Sequence, residues 1–253
     1  MIENPTKILI TGASSGIGAE LAKQYANSGI TLYLTARNEK RLEEVKKTCV
    51  KKGAKVHIKS LDIKDKASVT KWISSIKELD LVIANAGISA GTGGGGESVE
   101  QVENIFQTNI DGVINTVHPA IDIMKKHKKG QIAIISSLAG YRGLPSSPAY
   151  SASKSAVRVY GEALRGVLQK EGIALSVVTP GYIRTPMTDV NDFPMPFILD
   201  VEKAASIIIR KLKKNASRIA FPFPLYFVIW LMSCLPPCIT DPLFARLPEK
   251  PSN

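Results

Sequence analysis

The chain has 253 residues, 44% hydrophobic and 22% charged, which suffices for one large domain with a full core and leaves too little length for two. Three cysteines, Cys49, Cys234 and Cys238, exclude a disulfide framework, and residues 1–10 lack the pattern of an export signal, so a cytoplasmic protein is expected. The net charge of +11 sits largely in basic runs such as 125–129 and 210–214, which read as solvated helix ends or as an attraction to an anionic membrane surface; without interleaved aromatics they do not read as a nucleic-acid site.

Apolar runs at 7–11, 31–36, 56–61, 80–84, 131–136 and 173–179 read as buried strands. The intervening segments near 17–28, 39–52, 66–77, 98–127 and 150–171 carry helical patterns. Alternation at this spacing predicts βαβ units: an α/β, doubly wound domain over 1–220, with a parallel sheet of about seven strands and helices on both faces. The glycine-rich stretch 91–96 reads either as a mobile loop beside the crevice or as a loose surface connection.

Chemistry-bearing residues cluster at the C-terminal ends of these strands. Thr11-Gly12-Ala13-Ser14-Ser15-Gly16-Ile17-Gly18 follows the first strand and opens the first helix, the context in which bare backbone and a helix N-terminus cradle a phosphate. It lacks the Lys-Ser/Thr ending of a P-loop, which argues against nucleotide hydrolysis. Asn85-Ala86-Gly87 follows the fourth strand, and Ser137 the fifth. Tyr150 and Lys154 lie one helical turn apart, so both face the same side. The pair alone also fits two solvated helix residues; its neighbours give it meaning. His57, His118 and His127 fall in strand, helix and helix-end contexts, which removes Ser-His-Asp hydrolysis, and no ligand cluster supports a metal.

Taken in order, the glycine turn, Asn85-Ala86-Gly87, Asn109, Ser137, Tyr150-Ser151-Ala152-Ser153-Lys154 and Pro180-Gly181-Tyr182-Ile183-Arg184-Thr185 resemble the short-chain dehydrogenase/reductase family over about residues 5–190. Ala84 stands where many members have a second Asn. The resemblance implies a Rossmann-type fold, and Asn109, Ser137, Tyr150 and Lys154 as the catalytic set. It implies a nicotinamide cofactor held by Gly12, Ser14, Ser15, Gly16, Ile17 and Gly18, by Asp62 and Ile63 at the adenine, and by Asn85, Ala86 and Gly87 near the ribose. Ile183 and Thr185 would hold the carboxamide and Lys154 the nicotinamide ribose, with Pro180, Gly181 and Tyr150 also at the cofactor. Ala36-Arg37-Asn38 ends the second strand without a carboxylate to repel a 2′-phosphate, and Arg37 offers a planar fork that matches one, so NADP(H) is expected over NAD(H). An ordinary exposed arginine is the competing reading.

Tyr150 is then the acid in carbonyl reduction and the base in alcohol oxidation. Ser137 hydrogen-bonds the reacting oxygen, and Asn109 holds the water that links Lys154 to solvent. One ammonium at about 4 Å from the phenol is sufficient in scale to lower its pKa by two to three units. Ser136 is the near rival of Ser137. Ser137, Tyr150, Leu144, Tyr182 and Met187 are the expected substrate contacts, under a lid at about 186–200 lined by Phe193, Met195, Pro196 and Phe197.

The segment 221–253 forms an apolar, helical C-terminal extension. Its uninterrupted stretch 225–235 would span only about 16 Å as a helix, against about 30 Å of hydrocarbon. Three readings remain: a monotopic element giving peripheral membrane contact through 221–247, an oligomer interface, or a tail folded over its own pocket. The membrane leads, because Trp230, Tyr226 and the basic surface suit an anionic interface. The expected function is reduction of a lipophilic ketone or aldehyde by an NADP(H)-dependent homodimer or homotetramer. A non-enzymatic nucleotide-binding sensor or scaffold is the alternative.

Overall fold

The computed structural model describes residues 4–246 and 248–251. Its centre is a seven-stranded, wholly parallel sheet: β1 (Lys7–Thr11), β2 (Thr31–Ala36), β3 (Lys55–Ser60), β4 (Leu81–Ala84), β5 (Gly130–Ile135), β6 (Ile173–Pro180) and β7 (Arg218–Phe221), in the order β3-β2-β1-β4-β5-β6-β7. Strand β4 and strand β5 are buried at every position, which explains their continuous apolar sequence. Strand order reverses between β1 and β4, and such reversals open a crevice at the C-terminal edge of the sheet.

Two helical layers cover the sheet. Helices α1 (Gly16–Tyr25), α2 (Glu39–Lys51) and α7 (Val201–Lys213) share one core with Ile8, Ile10 and Leu34. Helices α3 (Lys66–Ser74), α5 (Gly112–His127) and α6 (Pro148–Gln169) share the other with Leu9, Val82 and Ile134. Alternate residues of β1 therefore serve opposite cores, as the two-residue period of a strand requires. Short polar side chains start the helices: Asn38 accepts from the Arg41 amide, Asp65 from Ser68 and Ser98 from Gln101.

The six sequence-predicted strands agree with the structure to within one residue at each end. The segment 98–127 is α4 (Val99–Phe106), a π-helical turn (Gln107–Asp111) and α5. Helix α6 starts two residues before Tyr150, with Pro148 in its first turn. The sequence gives no prediction for α7 and β7. Helix α7 looks like a basic run because its buried face, Ala204, Ala205, Ile208 and Leu212, is interleaved with Lys and Arg. The extension forms α8 (Phe223–Cys234) and α9 (Pro237–Phe244), laid across the open end of the crevice. No helix among the described residues is long and apolar enough to cross a membrane.

Candidate active site

A cavity of about 780 Å³ runs along the C-terminal edge of the sheet. At its β1 end, Gly12 (φ +67°) and Gly16 (φ +53°) adopt backbone conformations that favour glycine. A Cβ on Gly18 would lie 2.4 Å from the Gly12 carbonyl oxygen, so helix α1 can approach the turn only because that position is bare. Gly18 is thus buried behind the turn and does not line the cavity, unlike Gly12, Ser14, Ser15, Gly16 and Ile17. Ser15 begins α1 without a side-chain cap, leaving the helix N-terminus open to an anion. Asn85 holds the turn closed through Nδ2, which donates to the Thr11 and Gly12 carbonyls at 3.0 and 3.3 Å.

Arg37, Asp62, Ile63, Asn85, Ala86, Gly87, Pro180, Gly181, Ile183 and Thr185 all line the same cavity. Arg41 joins Arg37 there, both exposed, and neither takes part in an ion pair among the described residues. The glycine turn itself holds no second basic group. Helical spacing supplies it instead, in the first turn of α2.

Further along, Ser137, Tyr150 and Lys154 converge. The Lys154 side chain is 4% exposed, and its ammonium donates to the Ile135 carbonyl at 3.0 Å. It lies 5.8 Å from the centroid of the Tyr150 ring. Ser136 Oγ donates to the Lys154 carbonyl at 2.6 Å and is buried, so that hydroxyl is already engaged. Ser137 Oγ accepts from the Ala139 amide at 3.1 Å, and its hydroxyl lies beside the Tyr150 phenol.

Asn109 is fully buried in the π-helical turn and lies behind the cavity wall. Its Nδ2 donates to the Ile88 carbonyl at 2.9 Å and to Ser153 Oγ at 3.0 Å, while Oδ1 accepts from the Ile88 amide at 2.8 Å. A Cβ on Gly87 would lie 3.1 Å from Asn109 Oδ1 and 3.2 Å from Lys154 Nζ, so both polar groups border one small space that glycine leaves open.

The electrostatics depart from the expectation of a phenol acidified by its lysine. Burial pushes Tyr150 above its ordinary value; the neighbouring Ser137 hydroxyl opposes this, and nearby Tyr182 adds to it. Burial also lowers Lys154 to about 8. Desolvation wins because Lys154 points at the Ile135 carbonyl and not at the phenolic oxygen, so its charge gains little from Tyr150.

Leu144, Tyr182 and Met187 line the substrate end with Phe193 and Pro196. Two expected lid contacts do not: Phe197 is 57% exposed, and Met195 accepts a hydrogen bond from Asn191. Leu225, Val228, Ile229 and Met232 of α8 and Phe244 of α9 close this end, as the folded-over-tail reading requires. Phe223, Phe227 and Trp230 face solvent on the outer side of α8. The 91–96 loop does not line the cavity, and its Gly91 and Gly93 amides donate to the Pro251 and Lys250 carbonyls at 2.9 and 3.0 Å. None of the three histidines lines the cavity; His118 pairs with the Tyr160 hydroxyl at 2.9 Å, for instance.

A family model described as short chain dehydrogenase matches residues 6–193. An uncharacterised oxidoreductase from Myxococcus xanthus is 31% identical over 243 residues, covering 94% of this chain and 96% of its own. A short-chain dehydrogenase from Burkholderia cenocepacia, solved in complex with NADP, has a TM-score of 0.83 at 23% identity, over 98% of this chain and 100% of that one. Another from Mycobacterium paratuberculosis, bound to NAD, has a TM-score of 0.75 at 22% identity, over 85% of this chain and 95% of that one. At these identities the two structures speak for the fold and leave the choice of nucleotide open. With the glycine turn, the Tyr150 and Lys154 pair and the family match all in one chain, this protein belongs to the short-chain dehydrogenase/reductase family of oxidoreductases.

Proposed function

We propose that the protein is an NADP(H)-dependent reductase of a lipophilic ketone or aldehyde, with Tyr150 as the acid. The observation that carries this reading is the placement of Tyr150, Ser137 and Lys154 in one wall of a cavity that runs unbroken from the glycine turn to an apolar substrate end. The residues present fit a dinucleotide: bare backbone at Gly12 and Gly16, an open helix N-terminus, and two unpaired guanidinium groups. Gly12, Ser14, Ser15, Gly16 and Ile17 would hold the pyrophosphate. Arg37 and Arg41 would take the 2′-phosphate that distinguishes NADP(H), Asp62 and Ile63 would flank the adenine, and Ile183 and Thr185 would hold the carboxamide. The bound nicotinamide supplies a hydride to the carbonyl carbon.

Tyr150 gives its proton to the carbonyl oxygen, and a phenol held above its ordinary pKa is protonated at neutral pH, as that role needs. Ser137 hydrogen-bonds the same oxygen and stabilises the charge developing on it. Lys154 binds the nicotinamide ribose, and Asn109 and Lys154 hold a proton-relay water in the space that Gly87 leaves open. In oxidation Tyr150 is the base. The apolar substrate wall supports a lipophilic substrate, and the exposed outer face of α8 supports peripheral membrane contact. A homodimer or homotetramer is proposed on family resemblance. A panel of apolar aldehydes and ketones, assayed by NADPH oxidation, tests the reading. Turnover lost in Tyr150→Phe while NADPH binding persists supports it; turnover retained in that variant overturns it.

A further inference from the structure

Four cationic side chains line the cavity: Arg37 and Arg41 at the nucleotide end, Lys154 in the catalytic wall, and Lys250 at the substrate end. The proposed reaction uses the first three and leaves Lys250 without a task. Lys250 reaches the site from the far end of the chain, and its position is built rather than incidental. Its carbonyl accepts from the Gly93 amide at 3.0 Å, and the next carbonyl, of Pro251, accepts from Gly91 at 2.9 Å. A Cβ on Gly91 would lie 2.2 Å from the Lys250 carbonyl oxygen, so the strap can seat only against glycine.

From that seat the side chain turns inward. Its ammonium donates to Ser89 Oγ and lies 5.5 Å from the centroid of the Tyr150 ring. Met232, Phe244 and Pro248 line the same cavity and add no charge to it. The only carboxylate among the described lining residues is Asp62, at the opposite end of the cavity. Glu249 beside it turns away, its carboxylate 2.8 Å from where a Gly94 Cβ would be. Burial lowers Lys250 to about 8. Among the described residues this desolvated ammonium has one neutral partner, donors to spare and no counter-charge; an anionic ligand would supply the acceptor and the charge.

We propose that Lys250 is a specificity-determining residue: its ammonium, carried into the cavity by the C-terminal strap, pairs with a carboxylate of the substrate, so that the substrate is an apolar oxo acid. The proximity of Lys250 to Tyr150 places that carboxylate within a few bonds of the carbonyl being reduced. The carboxylate is unchanged in the reaction: the carbonyl carbon accepts the hydride, its oxygen takes the Tyr150 proton, and a hydroxy acid leaves. The inference rests on the reductase reading for its chemistry, and its test reads binding as well as turnover so that the two can fail separately.

The probes are α-keto-octanoate and its methyl ester, which share the carbonyl and the apolar chain and differ in charge. Calorimetry on the full chain loaded with NADPH gives the dissociation constant of each, and steady-state assays give kcat/KM. In the wild type the acid binds about tenfold or more tighter than the ester, as a charge-assisted hydrogen bond in a desolvated site allows. Lys250→Met collapses that ratio toward one, Lys250→Arg keeps most of it, and Gly91→Ala, which unseats the strap, lowers it with Lys250 intact. A wild-type ratio near one, a ratio unchanged in Lys250→Met, or binding of neither probe at millimolar concentration overturns the assignment. Turnover of both probes without preference for the acid sinks this inference alone. Tighter binding of the acid with turnover of neither compound sinks the reductase reading and leaves Lys250 as an anion site.

Discussion

The Lys154 ammonium donates a 3.0 Å hydrogen bond to the Ile135 carbonyl, the last residue of β5, so the lysine that faces the reacting centre also pins α6 to the sheet. That geometry buries a cation without a carboxylate partner, and its pKa falls from 10.5 to about 8. The sign of the consequence follows by linkage. Below about pH 8 the group is charged in the folded and unfolded states alike, and the folded state bears the full desolvation penalty. Between about 8 and 10.5 the unfolded chain binds more protons, so stability rises with pH. In the cofactor-free protein, wild type should therefore gain about 3 kcal/mol on Lys154→Met across that window. Denaturation of both at neutral and alkaline pH measures it, and a pH-independent difference contradicts it.

Ser136 and Ser137 should separate cleanly. Ser136 spends its hydroxyl on the Lys154 carbonyl inside the core, so Ser136→Ala should lower stability by about 1 kcal/mol and leave the chemical step nearly intact. Ser137→Ala should lower kcat by about a hundredfold with little loss of stability, because in the proposed mechanism its hydroxyl stabilises the charge developing on the carbonyl oxygen. Denaturation midpoints and single-turnover rates on both variants decide the matter.

The pH dependence should differ by direction. Burial holds Tyr150 above its ordinary range, so reduction, which needs the phenol, should persist through neutral pH and fall only under alkaline conditions. Oxidation needs the phenolate and should rise over that same alkaline range. Pre-steady-state rates in both directions test this, and reduction lost below pH 7 would contradict it.

Gly18→Ala should remove nucleotide binding although residue 18 does not touch the cavity. A methyl there meets the Gly12 carbonyl oxygen at 2.4 Å, which forces α1 away from the turn. NADPH affinity falling by at least about tenfold is the expected result, measured by fluorescence titration. Unchanged affinity would mean that the helix can shift without deforming the turn.

The nucleotide end was legible in the sequence because the chain carries it locally. The glycine turn lies within eight consecutive residues, and Tyr150 and Lys154 are separated by one helical turn. Arg41 lies four residues past Arg37 within the predicted helix 39–52, and its place in the cavity follows from how α2 packs beside the glycine turn, which no local pattern encodes. The substrate end is assembled over long separations: Lys250 meets Ser89 across 161 residues, which no local pattern reveals. Helix α8 is apolar around its whole circumference, so its sequence does not say which face meets the cavity and which meets solvent. The direction of the phenol's shift is hidden for a related reason, since the hydrogen-bond partner of Lys154 is a backbone carbonyl of β5 and not the neighbouring tyrosine.

The most direct test of the central claim is the affinity of the purified protein for NADPH and for NADH, with Arg37→Ala and Arg41→Ala beside the wild type. NADPH should bind about tenfold or more tighter, and each substitution should remove much of the margin by weakening NADPH alone. Equal affinity for the two nucleotides, or a preference untouched by either substitution, would contradict it.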